Sequence, residues 1–108
     1  GCMWLFHNDA TLSVVAHRDD PNLLLVRSRI QGDIERVVPT ADVFELERAD
    51  YRYRALVPKD LFKAALSDAV DRIDYPNFKA SVKDGDRHDA YMKVWSILAD
   101  KFGAFGRK

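Results

Sequence analysis

Two hydrophobic periodicities divide this chain, and apart from one short helical stripe at 34–38 they change over at Pro58. Before Pro58 the apolar residues are β-branched or alternate with polar ones, the period of a half-buried strand. After it they recur every three to four residues, the period of an amphipathic helix. A parallel sheet needs a helical crossover between successive strands, and this arrangement does not supply one for each strand. The division predicts an α+β domain: an antiparallel sheet with helices packed on one face, and a helical C-terminal half.

Segment by segment, Thr11–His17 and Leu23–Arg29 read as strands joined by the turn-forming run Asp19-Asp20-Pro21-Asn22, hence a hairpin. Gly32-Asp33 opens a short helix with Ile34, Val37 and Val38 as its apolar stripe, and Pro39 ends it. Val43–Glu47 and Tyr51–Val57 form a second pair of strands around Arg48-Ala49-Asp50, and residues 3–6 add a short strand. Pro58 suits a first helical turn, with Phe62, Leu66, Ala69, Val70 and Ile73 following at helical spacing. A short helix is expected over 76–83. The last helix runs from about Arg87 to Lys101, with Tyr91, Val94, Trp95, Leu98 and Phe102 on one face. The expected sheet has about four strands in a ferredoxin-like arrangement, with 11–17 standing where the usual last strand would lie. Trp95, Leu98, Tyr91, Phe62, Leu66, Tyr53 and Val26 are the expected core.

The length of 108 residues suits one domain, 1–108, with 103–108 as a loose tail onto which Phe105 can fold. Hydrophobic residues make up 47% and 17 basic residues balance 17 acidic ones, so the composition is neither that of a disordered chain nor that of an all-over nucleic-acid footprint. Gly1 and Cys2 read as a cloning remnant before Met3, which leaves no cysteine for a disulfide, a thiolate nucleophile or a metal. No apolar run approaches the roughly 20 residues of a membrane helix, so the expected compartment is the cytoplasm.

Four separated motifs stand out: Met3-Trp4-Leu5-Phe6, Asp50-Tyr51-Arg52-Tyr53-Arg54, Asp74-Tyr75-Pro76-Asn77-Phe78-Lys79 and Val94-Trp95. In these the chain resembles a widespread group of small bacterial proteins of unknown function. The resemblance spans most of the chain and implies a bacterial source, and it offers no catalytic residue to carry over.

Two candidate sites follow from residue placement. Strand alternation with Leu12, Val14, Ala16, Leu24, Val26, Phe44, Leu46, Tyr51 and Tyr53 toward the helices sends Arg27, Arg29, Arg52, Arg54 and His17 to the opposite face, with Val15, Leu25 and Leu56 among them. Four guanidiniums on one face suit phosphate or carboxylate. Glu45 and Glu47, read as lying across from Arg52 and Arg54, equally allow a ladder of cross-strand ion pairs with no ligand. The second candidate is a groove near Asp74, Tyr75, Asn77, Asp86 and His88. There a carboxylate and an imidazole could bind a small molecule or do acid–base work, while helix capping and turn formation explain the same residues. Metal-binding spacings, phosphate-binding loops and nucleophile motifs are missing from the sequence, so no metal and no cofactor is expected. The expected role is a non-enzymatic protein-binding or adaptor module acting through the open sheet face, with a protein partner or self-association. A small enzyme or ligand-binding domain using the groove is the alternative. Nucleic-acid binding by the arginine face is the weaker one, because aromatic platforms that stack bases sit on the open face and these tyrosines alternate away from it.

Overall fold

The run Asp19-Asp20-Pro21-Asn22 does close a hairpin. Asp20 accepts the Asn22 N–H on its side chain at 2.8 Å and the Leu23 N–H on its carbonyl at 3.2 Å. The structure, a computed structural model, describes residues 2–103. It divides into two compact units, one through Asp74 and one from Tyr75. The proposed tail residues 104–108, Phe105 included, lie outside the described residues.

The first unit is a five-stranded sheet with two helices. Its strands are β1 (Cys2–His7), β2 (Ala10–Ala16), β3 (Leu23–Ser28), β4 (Phe44–Glu45) and β5 (Tyr53–Pro58). They lie in the order β1-β2-β3-β5-β4, and every neighbouring pair is antiparallel. The helices are α1 (Asp33–Val37) and α2 (Lys59–Asp71). The sheet therefore has one strand more than the four expected. Residues 2–7 form a full edge strand, while the stretch read as Val43–Glu47 shrinks to two residues.

One face of the sheet is the core. Leu12, Val14, Val26, Ala55 and Val57 alternate onto it and pack with Ile34, Val37 and Val38 from α1 and its end, and with Phe62 and Ala65 from α2. Fully burying an aliphatic side chain of this size is worth about 1.5–3 kcal/mol, so this layer supplies the main driving force for the unit. Both helices thus sit on one face. Val70, in the last turn of α2, and Ile73, beyond its end at Asp71, both read as part of the inward stripe, are more than half exposed.

A polar group anchors α1. Gly32, at φ 93°, takes the left-handed conformation that glycine adopts without strain and starts the helix. Asp33 follows, almost fully buried. Its Oδ2 accepts the Thr11 N–H at 3.0 Å and its Oδ1 accepts from Arg36 Nη1 at 2.7 Å. The helix is thereby fastened to β2 by a carboxylate, the kind of buried charge tolerated only when it is paired.

The second unit carries α3 (Phe78–Ser81) and α4 (Gly85–Phe102). Asn77 caps α3 by accepting the Ala80 N–H, and Asp84 caps α4 by accepting the Arg87 N–H. Phe78 stacks on Tyr91 with ring centroids 5.7 Å apart, Tyr75 packs on Phe78 at 6.2 Å, and Val82 is buried. The expected core residues Trp95 and Leu98 are instead each 51% exposed. Helical spacing identifies a stripe but not its width, and here burial centres on Tyr91, one turn earlier. Trp95 carries the Lys79 ammonium over its ring at 4.7 Å.

Candidate functional site: the outer sheet face

Register decides what the face turned away from α1 and α2 displays. Ser13 pairs with Arg27 and Arg27 with Arg54; Val15 pairs with Leu25 and Leu25 with Leu56. Directly paired residues share a face, so Arg27, Arg54, Val15, Leu25 and Leu56 all project outward, as expected. The β1–β2 register adds Trp4, opposite Ser13, to this face.

On the far side the expected alternation is out of phase by one residue. Phe44 pairs with Arg54, and Glu45 pairs with Tyr53. Phe44 is therefore an outer-face residue, half exposed, and Leu46 is exposed as well, whereas Val43 packs against the core. A one-residue slip exchanges the two faces of a strand, and a two-residue strand offers little alternation to read. The supposed ladder changes accordingly. Arg52 Nε pairs with Glu45 at 3.2 Å and Arg52 Nη2 with Glu47 at 3.9 Å. Arg54 takes neither glutamate: its Nε donates to the Tyr51 carbonyl at 3.1 Å and its Nη2 lies 3.7 Å from Asp50. The hydrogen bond to Glu45 raises the Arg52 guanidinium above its ordinary value, with the charges of Tyr53 and Glu45 adding to it, so Arg52 stays protonated and its charge is compensated by the glutamates beside it.

Tyr51 is the residue most changed from expectation. It lies before β5, where the backbone is still bending, so strand alternation does not reach it. Its ring sits beneath two cations: the Arg27 guanidinium carbon is 4.6 Å from the ring centroid and that of Arg29 is 4.2 Å. Among the described residues neither Arg27 nor Arg29 has a carboxylate partner. Arg27 Nη2 donates to Ser13 Oγ at 2.7 Å, while its buried Nε has no hydrogen-bond partner. The four arginines thus divide. Arg52 and Arg54 are paired with acids, and Arg27 and Arg29 share an aromatic ring with their charge unmet. Exposed Trp4, Phe44 and Leu56 belong to the same face. His17 is a turn residue: its Nδ1 accepts the N–H groups of Asp19 and Asp20 at 3.2 and 3.0 Å.

The residues of the second candidate constellation are divided between the two units. Asp74 ends the first unit, and Tyr75, Asn77, Asp86 and His88 belong to the second. Tyr75 packs on Phe78, Asn77 is spent on its cap, Asp86 is exposed in the first turn of α4, and His88 Nδ1 lies 3.9 Å from Asp89. The shallow depressions along α4 are lined by Asp89, Met92, Lys93, Ser96 and Ile97, and by Trp95, Leu98, Ala99, Phe102 and Gly103. None of the five groove residues lines either. Among the described residues no group of three or more His, Cys, Asp or Glu side chains is placed to hold a metal ion, and no helix is long and apolar enough to cross a membrane.

Comparison with protein-family models, with curated proteins and with solved structures found no match to this chain. The reading of its function rests on the geometry above.

Proposed function

We propose that this protein is a non-enzymatic binding module that docks a protein partner on the outer face of its sheet. The observation that carries the reading is the pair Arg27 and Arg29 held over Tyr51 without an acidic partner, on a face that also exposes Trp4, Phe44 and Leu56. Aromatic residues and arginine are the side chains enriched in protein interfaces and in their energetic hot spots. The face asks for a partner that brings apolar side chains and a carboxylate. A carboxylate between two guanidiniums makes charge-assisted hydrogen bonds, and the partner's apolar side chains exclude water around them. An isologous contact centred on this pair would set Arg27 and Arg29 against their own copies, so the partner on this face is a different protein. The run β3-α1-β4-β5-α2, with β5 between β3 and β4 and β2 beside β3, supports a ferredoxin-like reading of the unit.

The test is affinity capture from a lysate of the source organism with the parent chain and with Arg29→Glu. Arg29 is exposed, so its reversal leaves the fold intact. A discrete protein retained by the parent and lost with Arg29→Glu supports the reading. Equal capture by both overturns it.

Tyr51 beneath the arginines, with Trp4 and Phe44 beside it, gives the outer face aromatics, the feature whose supposed absence counted against nucleic acid. That second reading requires retained nucleic acid whose affinity falls steeply with salt.

A further inference from the structure

The two edges of the sheet are unlike each other. At one end β4 is two residues long, contains Glu45 and runs into Glu47 and Arg48. A short strand with charges is how proteins protect a sheet edge from pairing with another chain. At the other end β1 is six residues long, Cys-Met-Trp-Leu-Phe-His, with no lysine, arginine, acid, proline or glycine. Its register with β2 runs unbroken from Cys2↔Val15 to His7↔Ala10, so no bulge twists it away. Met3 and Trp4 are 51% and 68% exposed. Each protective device present at β4 is missing at β1.

We infer that β1 pairs antiparallel with β1 of a second copy of this chain, joining two five-stranded sheets into one of ten strands. Three observations select a second copy as the occupant. A strand laid antiparallel on itself is related by a two-fold axis, so the contact is isologous and closes at two chains. The strand from Cys2 to Phe6 carries no charge, so self-pairing opposes no like charges. The guarded β4 edge is unsuited to receive β1, which leaves no head-to-tail route to a filament.

The geometry also points to a register. If the two outer faces are to be continuous, even-numbered residues of β1 must face even-numbered residues of its copy, because opposed residues share a face. Of the registers allowed, the one centred on Trp4 opposes the two indoles, with Met3 across from Leu5 and Cys2 across from Phe6. Cross-strand aromatic pairs are among the more favourable. Five paired residues extend about 17 Å. The two indoles contribute on the order of 300 Å², and with Met3, Leu5 and the paired backbone edges the contact falls in the small class of interfaces. Contacts of this class belong to weak, concentration-dependent association. The outer faces then lie side by side and stay uncovered, so the dimer presents two arginine–tyrosine sites to a partner.

Sedimentation velocity on the full chain, with Cys2→Ser to remove the exposed thiol, tests the proposal. The expected parent is a dimer, at twice 12.4 kDa, that dissociates on dilution through the micromolar range. Trp4→Lys and Trp4→Glu should each be monomeric and melt with the diluted, monomeric parent, because Trp4 is mostly exposed within one chain. Their equimolar mixture should recover the dimer, since only this register sets the two substituted positions face to face. Leu56→Lys, on the outer face away from β1, should leave dimerisation intact. A parent that is monomeric at high micromolar concentration overturns the proposal, as does a Trp4→Lys chain that remains dimeric. A mixture that stays monomeric overturns the register. Loss of the dimer in Leu56→Lys with retention in Trp4→Lys would move the self-contact to the outer face and overturn both the edge pairing and the assignment of that face to a different partner.

Discussion

Asp33 has the most leverage of any single residue for its size. Its carboxylate is almost fully buried and is held by the Thr11 N–H and the Arg36 guanidinium. Truncation to alanine leaves a backbone donor of β2 without its acceptor, and stranding a buried polar group costs about 1–3 kcal/mol. Urea denaturation of Asp33→Ala should therefore show a loss toward the upper end of that range. Asp33→Asn should lose less, because an amide oxygen still accepts the Thr11 N–H. The preceding residue offers an independent check. Gly32→Ala forces a Cβ into left-handed backbone, which costs roughly 1–2 kcal/mol. That Cβ would also meet the Arg36 guanidinium at 3.2–3.3 Å, so the side chain must give way as well.

At the scale of elements, α4 is set by its first two turns. Asp84 caps it, Arg87 and Tyr91 are buried, and beyond them Trp95, Ile97, Leu98 and Phe102 are all about half exposed. Tyr91→Ala removes a ring stacked on Phe78, and large-aromatic truncations of this kind cost about 3–5 kcal/mol. Trp95→Ala removes a half-exposed ring and its contact with Lys79, worth on the order of 0.5–1 kcal/mol. Circular dichroism of the two variants through a urea titration should rank Tyr91→Ala well below Trp95→Ala. The reverse order would place the anchor of α4 one turn later. Asp84→Ala should cost about 0.5–2 kcal/mol as a lost helix cap and speed hydrogen exchange in the first turn of α4 ahead of its centre.

For the whole molecule the prediction concerns charge that the fold leaves unmet. The sequence is neutral overall, yet among the described residues Arg27 and Arg29 stand together without acids while Arg52 and Arg54 are paired. Charge reversal at Arg29 should weaken partner capture more than reversal at Arg52, whose cation is already engaged by Glu45 and Glu47. If the site is built as described, raising salt should erode capture only modestly, because the apolar side chains around the arginines are not screened. Capture by both reversals falling equally would mean that net charge alone is recognised.

The segregation of periods at Pro58, the hairpin around Asp20, the α1 stripe and the outward placement of Arg27, Arg54 and Leu56 were all legible from spacing. Each is a local property: two residues of one strand alternate regardless of what lies beside them. The edge β1 was only partly legible, because Met3–Phe6 is a short apolar run whose length does not separate a strand from any other apolar segment. Three things were decided by tertiary structure alone. The register of β4 put Phe44 outside and Val43 inside, since a two-residue strand takes its phase from its partner. Tyr51 joined the arginines because the chain bends before β5, which no period encodes. Which cations remain unpaired depended on distances across strands: Glu45 reaches Arg52 and Asp50 reaches Arg54, and no acid among the described residues reaches Arg27 or Arg29. Pattern assigns a residue to a face through backbone geometry, but neutralising its charge takes a partner within a few ångströms, and only the folded chain sets that distance.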